Sequence, residues 1–264
     1  EANKRWRDEA ASEKIRTMTL QIEKFDPEIV IPFASFIYFS NHENFYLNDA
    51  VNKPGDLIEK IKSSSSKLII MAPLDTIGGD NQSYNNDNAI KFWNKKYREI
   101  KFVNQFESVE IDELNKNFDL YCNRIQKNNN MFLIRLIRIL SPIYAFKPCI
   151  IRLDDLDLSV KFDYVNKSFS ETSEEAMLSM KSESLNFIFK NSFGFDTLTV
   201  NGCFEEVVKS GFVKATKTLA IENLNNLGIT ARPVFLKISS YLKQTLITKG
   251  ILQKNLRIKP IIPR

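Results

Sequence analysis

The chain has 264 residues, of which 43% are hydrophobic and 26% charged, with a formal net charge of +5. That length holds one large domain or two ordinary ones, and that balance belongs to a soluble globular protein. Lysines and arginines alternate with acidic residues and make no basic stripe interleaved with aromatics, which argues against nucleic-acid binding.

No apolar run reaches the ~18 residues that span a bilayer. The longest candidate, Met131 to Phe146, is interrupted by Arg135, Arg138 and Pro142. No secretory signal opens the chain. It starts at Glu1, without an initiator methionine and already in a charged helical pattern, as expected of a trimmed protein or a piece of a longer one. Cys122, Cys149 and Cys203 are odd in number, far apart and without CxxC spacing. They are expected to be reduced, buried thiols of a cytoplasmic protein.

In chain order, Glu1 to Phe25 reads as a helix with Ile15, Met18, Ile22 and Phe25 on one face. Pro27 stops it. Glu28 to Phe39 is nearly continuously apolar and predicts a strand buried on both sides. Lys53-Pro54-Gly55 predicts a turn, Asp56 a cap for a short helix through Ile61, and Lys67 to Met71 a second buried strand. The polar Asp75 to Asn88 reads as a surface loop. Phe92, Trp93, Tyr97 and Ile100 mark an amphipathic helix. A domain boundary is expected between Phe102 and Glu110, dividing 1–105 from 106–264.

Beyond it, helices are predicted over Ile111 to Lys127 and Met131 to Leu140, separated by three asparagines. A hairpin is predicted over Cys149 to Leu153 and Leu156 to Tyr164, then a strand over Ala176 to Met180 and a helix over Glu183 to Lys190. Thr197 to Val200 reads as a strand closed by Asn201-Gly202. Helices over Val213 to Asn225 and Phe235 to Thr248 finish the chain, and the basic stretch Lys249 to Arg264 reads as a solvated tail. The expected fold is therefore an α/β layer of helix–strand units followed by an α+β module with an antiparallel sheet.

The segment Ile31 to Asp49, IPFASFIYFSNHENFYLND, holds the only histidine, His42. An apolar run ends there among Glu43, Asn44, Tyr46, Asn48 and Asp49, and the loops after strands commonly carry function in layered α/β folds. Imidazole is the commonest transition-metal ligand, but a hydrolytic metal site usually takes three protein ligands. One histidine makes half a site. Glu43 and Asp49 are candidate metal or outer ligands beside His42, with Asn44 and Tyr46 as candidate substrate contacts. The competing reading makes Asn44, Asn48 and Asp49 cap or turn residues, and Phe45 and Tyr46 core.

Elsewhere, Asp154, Asp155 and Asp157 lack the spacing of a calcium loop and read as a solvated turn. Gly78-Gly79 lacks the lysine of a phosphate loop, and Ser35 has no GxSxG context. Phe187, Phe189, Phe193, Phe195 and Phe204 could line a ligand cavity but more simply fill a core. Gly194 and Gly202 read as turn glycines.

IPFASFIYFSNHENFYLND resembles the late segment of metallo-β-lactamase-fold hydrolases, in the branch similar to CMP-N-acetylneuraminate hydroxylase. In that superfamily a helix precedes a late strand, and the following loop gives the last metal-binding histidine, a role the resemblance assigns to His42. Ser184 to Glu206, SLNFIFKNSFGFDTLTVNGCFEE, resembles the end of a sterol-carrier-protein-like module, a small α+β domain with a hydrophobic cavity. The HxHxDH segment that supplies most of the family's ligands is absent, because the chain has no second histidine.

The resemblance implies that 1–105 is the C-terminal part of a metal-dependent hydrolase. Zinc or another divalent metal would be held jointly with an N-terminal segment not in this chain, and no metal would be stably bound to this chain alone. A small molecule or sugar nucleotide is the implied substrate, and the second module is a candidate for an apolar ligand. The alternative is a non-catalytic module that binds an apolar ligand or a protein partner.

Overall fold

The computed structural model describes residues 4–33, 36–61, 66–78, 84–100, 105–143 and 145–232. Ser35, Gly79, the expected helix Phe235 to Thr248 and the basic tail lie outside the described residues. The chain is mixed α/β and divides into two compact units, Glu1–Phe106 with Asn201–Cys203, and Glu107–Val200 with Phe204–Arg264. Among the described residues, no helix is long and apolar enough to cross a membrane.

In the first unit, helix α1 (Lys4–Phe25) leads to strand β1 (Ile29–Val30). An extended stretch and a 3-10 turn (Phe45–Ala50) then precede α2 (Pro54–Lys60), strand β2 (Lys67–Leu68) and helix α3 (Asn86–Glu99). Strands β1 and β2 are parallel, with Ile29 opposite Lys67 and Val30 opposite Leu68. The core beneath them is small. Ile22, Leu57, Ile61, Ile70 and Ala89 are buried, and Met18, Phe36 and Trp93 pack against them half-covered.

The long buried strand expected over Glu28 to Phe39 is corrected to two residues. Pro32 has no N–H to give a ladder, and Phe33 is 81% exposed, so apolarity alone did not bring the run into a sheet. Asp56 is likewise not a cap. It lies in the first turn of α2, where Pro54, lacking a donor, starts the helix, and Lys53 is the capping position.

Asn86 closes the outer edge of β2. Its Oδ1 accepts from the Ile70 N–H at 2.8 Å, and its Nδ2 donates to the Leu68 carbonyl at 2.9 Å. These are the two groups a neighbouring strand would have used. Among the described residues no strand pairs with the other edge, that of β1.

The second unit begins with α4 (Ile111–Asn128) and α5 (Met131–Leu140). Its sheet has the order β5-β4-β3-β6-β7, from β3 (Cys149–Leu153), β4 (Leu158–Asp163), β5 (Ser168–Thr172), β6 (Leu178–Met180) and β7 (Glu205–Glu206). The sheet is mixed, which corrects the antiparallel expectation: β3 pairs with β6 in parallel, and its other ladders are antiparallel. The remaining helices are α6 (Ser182–Lys190), α7 (Gly194–Asn201), α8 (Gly211–Leu219) and α9 (Ile221–Asn226).

Phe189 of α6 sits at the centre of an aromatic core, with ring centroids 5.2 Å from Phe162, 5.3 Å from Phe118 and 5.4 Å from Tyr121. Phe195 is also buried, with its ring near Phe212, whereas Phe187 and Phe193 are exposed, so the aromatic set does not line one cavity. The strand expected over Thr197 to Val200 is helical. Its β-branched residues favour extended backbone, but helical spacing lets Phe195 and Leu198 bury together, and burial outweighs a propensity scale spanning ~1 kcal/mol.

Gly194 is required by close approach rather than by a turn, since a Cβ there would lie 2.5 Å from Ile188 Cα. Gly202 does have a left-handed backbone, with φ +68°. The single helix expected over Val213 to Asn225 is two, divided at Ala220.

Candidate functional site

The polar cluster after the apolar run is a loop built by asparagine side chains that stand in for backbone. Asn48 Oδ1 accepts from the Phe39 N–H at 2.9 Å, and Asn48 Nδ2 donates to the carbonyls of Phe39 at 2.7 Å and Phe45 at 2.9 Å. One amide thereby pairs both backbone groups of Phe39, much as a neighbouring strand would. Asn44, only 2% exposed, accepts from the Asn41 N–H at 3.1 Å and donates to the Asn201 carbonyl at 2.8 Å. Asn41 Nδ2 meets Cys203 Sγ at 3.3 Å. His42 and Glu43 form the crest of the tight turn between Asn41 and Asn44, which a backbone bond from Asn44 N–H to Asn41 O closes.

Helix α1 holds the other end of the loop. Arg7 forms a two-pronged pair with Asp49, Nε to Oδ1 at 3.0 Å and a terminal nitrogen to Oδ2 at 2.6 Å, and its guanidinium lies 5.0 Å from the Tyr46 ring centroid. The hydrogen bond from Arg7 holds the Asp49 carboxyl below the usual carboxylate range, and Asp49 in turn raises Arg7. Asn52 donates to the Ala11 carbonyl at 2.8 Å. From α3, the Tyr97 hydroxyl donates to the Ile37 carbonyl at 3.1 Å.

The expected cluster therefore separates by task. Asn44, Asn48 and Asp49 are consumed in holding the loop. Of the cap or turn reading, the turn half fits Asn44, which closes the Asn41–Asn44 turn and makes no side-chain cap bond to the 3-10 turn it precedes. Tyr46 and Phe45, 39% and 40% exposed, are not core. His42 is exposed, at the crest of a turn fixed from both sides.

Among the described residues, no three His, Cys, Asp or Glu side chains gather as a metal site, and both Asp49 oxygens already face Arg7. His42 can supply one nitrogen to a site whose other ligands lie elsewhere.

The remaining candidates are structural. Asp155 accepts from the Ser182 N–H at 2.8 Å, while Asp157 and Asp154 pair with Arg152. All three cysteines are buried, and burial pushes the thiols of Cys122 and Cys149 up to about 12, which keeps them protonated and unreactive. Sequence reasoning missed Arg7, Asn41 and the Asn201–Cys203 stretch. The Arg7–Asp49 pair spans forty-two positions, and nothing local in the sequence couples the two.

No family model matches this chain, and neither the curated proteins nor the solved structures include a match to it.

Proposed function

We propose that this chain is the C-terminal part of a metal-dependent hydrolase of the metallo-β-lactamase superfamily, and that its first unit supplies the final strands and one ligand loop. The observation that carries this reading is the β1–β2 sheet. Two parallel strands of two residues each are too little sheet to stand alone. Their edges are treated differently: Asn86 seals β2, while β1 has no further strand among the described residues. A preceding segment that pairs with β1 would continue the layer and bring its own metal ligands to the loop that follows the strand.

The His42 turn supports the same reading. It is exposed yet preorganised by Asn44 and Asn48, as a residue completing another segment's site needs to be. His42 is the one metal ligand proposed here. Of the candidates beside it, Asp49 is assigned to positioning through Arg7 rather than to the ion. Zinc or a similar divalent ion and a small-molecule or sugar-nucleotide substrate follow from the resemblance, and a cytoplasmic setting from the three cysteines read as reduced thiols. The alternative is a non-catalytic binding module. For it, exposed apolar side chains on the second unit favour a protein contact over an enclosed apolar ligand.

The test is to read the coding sequence upstream of Glu1 and express the whole polypeptide. An HxHxDH segment, with bound zinc that weakens at least tenfold in His42→Ala, is the expected result. Unrelated upstream sequence, or zinc affinity untouched by His42→Ala, would overturn the proposal. With most of the family's metal ligands absent, the present chain is expected to be inactive alone, and ester or phosphoester turnover by it with added zinc would overturn that expectation.

A further inference from the structure

The second unit buries two phenol hydroxyls that meet no partner. Tyr121, in the middle of α4, is 0% exposed, and Tyr164, directly after β4, is 1% exposed. Their rings stand edge to face, with centroids 6.2 Å apart and planes at 79°. Neither hydroxyl has a hydrogen-bond partner among the described residues. Burying a ring does not require a hydroxyl, as Phe118 and Phe189 on either side of the Tyr121 ring demonstrate. Each hydroxyl has given up its hydration, and buried polar groups are ordinarily paired.

The charged groups around the two phenols are already committed. Arg124, whose guanidinium lies 5.7 Å from the Tyr121 ring centroid, donates to the two oxygens of Glu222 at 2.8 and 3.1 Å. Asp163, the residue before Tyr164, receives Arg138 at 2.7 and 2.9 Å, the Val165 N–H at 2.9 Å and Asn166 Nδ2 at 2.8 Å. The phenols feel the buried Cys122 and Cys149, but protonated thiols are weak hydrogen-bond partners. Burial raises both phenols well above the ordinary tyrosine range, so both hydroxyls are neutral, each able to donate one bond and to accept another. A group that serves them has to be small, uncharged and able both to donate and to accept. An ion does not fit, because both ion pairs beside the hydroxyls are internally balanced.

We propose that one internal water molecule binds between α4 and the end of β4 and bridges the Tyr121 and Tyr164 hydroxyls. Water offers two donors and two acceptors at the required size, and folded domains hold one buried molecule per ~27 residues, with about three hydrogen bonds each. The bound molecule gives direction to a core whose ring contacts have little of their own. One hydroxyl stands on the helix and the other at the end of the strand, so both meet the same water in only one register of α4 against β4.

The experiment uses the full chain with Tyr121→Phe, Tyr164→Phe and the double variant, which keep the rings and remove only the hydroxyls. Each single change is expected to lower the folding equilibrium constant about fivefold in urea unfolding. The double variant should lose less than the product of the two, because either change alone already breaks the bridge. A single variant as stable as the parent, or more so, would overturn the proposal, since a hydroxyl with no partner is better removed. Fully multiplicative losses would overturn it as well, by giving the two hydroxyls separate partners. A crystal structure of the full chain reads the ligand directly. One water within hydrogen-bond distance of both hydroxyls is expected. A protein group in its place, a direct bond between the two hydroxyls, or two hydroxyls left bare would overturn the assignment.

Discussion

The two units are held together by different physics. The second has a core in which Phe118, Tyr121, Phe162 and Phe189 touch one another between a helix pair and a five-stranded sheet. Each such ring removes ~150–250 Å² from water, and the aromatic contacts add to that burial. The first has a handful of buried aliphatic side chains and a two-residue parallel ladder. Its shape depends instead on asparagines that occupy backbone hydrogen-bonding positions: Asn86 on β2, Asn48 on Phe39 and Asn44 under the His42 turn. Burial is non-directional and tolerates repacking, whereas each amide clamp works only in one geometry. A unit built of clamps holds its turn in one geometry but has few buried contacts to fall back on when a clamp is lost.

Substitutions should separate these two modes. Phe189→Ala opens the centre of the aromatic core and is expected to cost about 3–5 kcal/mol in urea unfolding. Hydrogen exchange should show the loss in the second unit while the His42 loop keeps its protection. A loss shared equally by both would abolish the contrast. Arg138→Met keeps the stem but leaves Asp163, 5% exposed, without its guanidinium. Removal of one partner from a buried hydrogen-bonded pair should cost about 2–3 kcal/mol, again confined to the second unit.

In the first unit the clamps should each count for less but act more locally. Asn86→Ala strips partners from two backbone groups beside buried Ile70 and should cost about 1–2 kcal/mol, read as faster exchange of the Ile70 amide. Asn48→Ala should cost a similar amount and release Phe39 to exchange without weakening the aromatic core. Unchanged Phe39 exchange would show that packing, not the amide, fixes the loop.

The smallest effects distinguish the units by the sign of their pH dependence. Hydrogen bonding to Arg7 lowers the Asp49 pKa in the folded state, so this pair stabilises above the ordinary carboxylate range and the contribution fades as pH falls through and below it. Glu222, in the second unit, behaves oppositely. Burial raises its pKa against the opposing pull of Arg124, so stability is greater while it is protonated and declines as pH rises from the ordinary glutamate range upward. Unfolding midpoints followed against pH should lose the first slope in Asp49→Asn and the second in Glu222→Gln. A Glu222→Gln profile parallel to wild type would show that Arg124 compensates the burial.

What was legible in the sequence was the periodic part. Helices α1, α4, α5 and α6 lie within a few residues of their expected bounds, as does the β3–β4 hairpin, because one-sided burial imposes a 3.6- or 2-residue repeat; α3 begins at Asn86, inside the stretch expected to be a polar loop. The strand over Glu28 to Phe39 is much shorter than its apolar run predicts, because such a run states that burial is favourable and not which neighbour supplies hydrogen bonds. The short β5 and β7 escaped notice, since β5 is largely polar and β7 is two exposed glutamates. At the candidate site the sequence singled out His42 as the one imidazole among polar residues, and read these as ligands or as cap and turn residues, without showing which backbone groups they would hold.

By itself the sequence determined where most of the helices form, which aromatics are available for a core, and that the chain has a single imidazole, in a polar stretch after an apolar run. Only the tertiary structure decided which asparagines replace missing strands and that Arg7 takes Asp49. The reason is range. Periodicity is written in neighbours a few positions apart, whereas a clamp or a pair is a meeting of groups tens of residues apart, fixed only when the chain has folded.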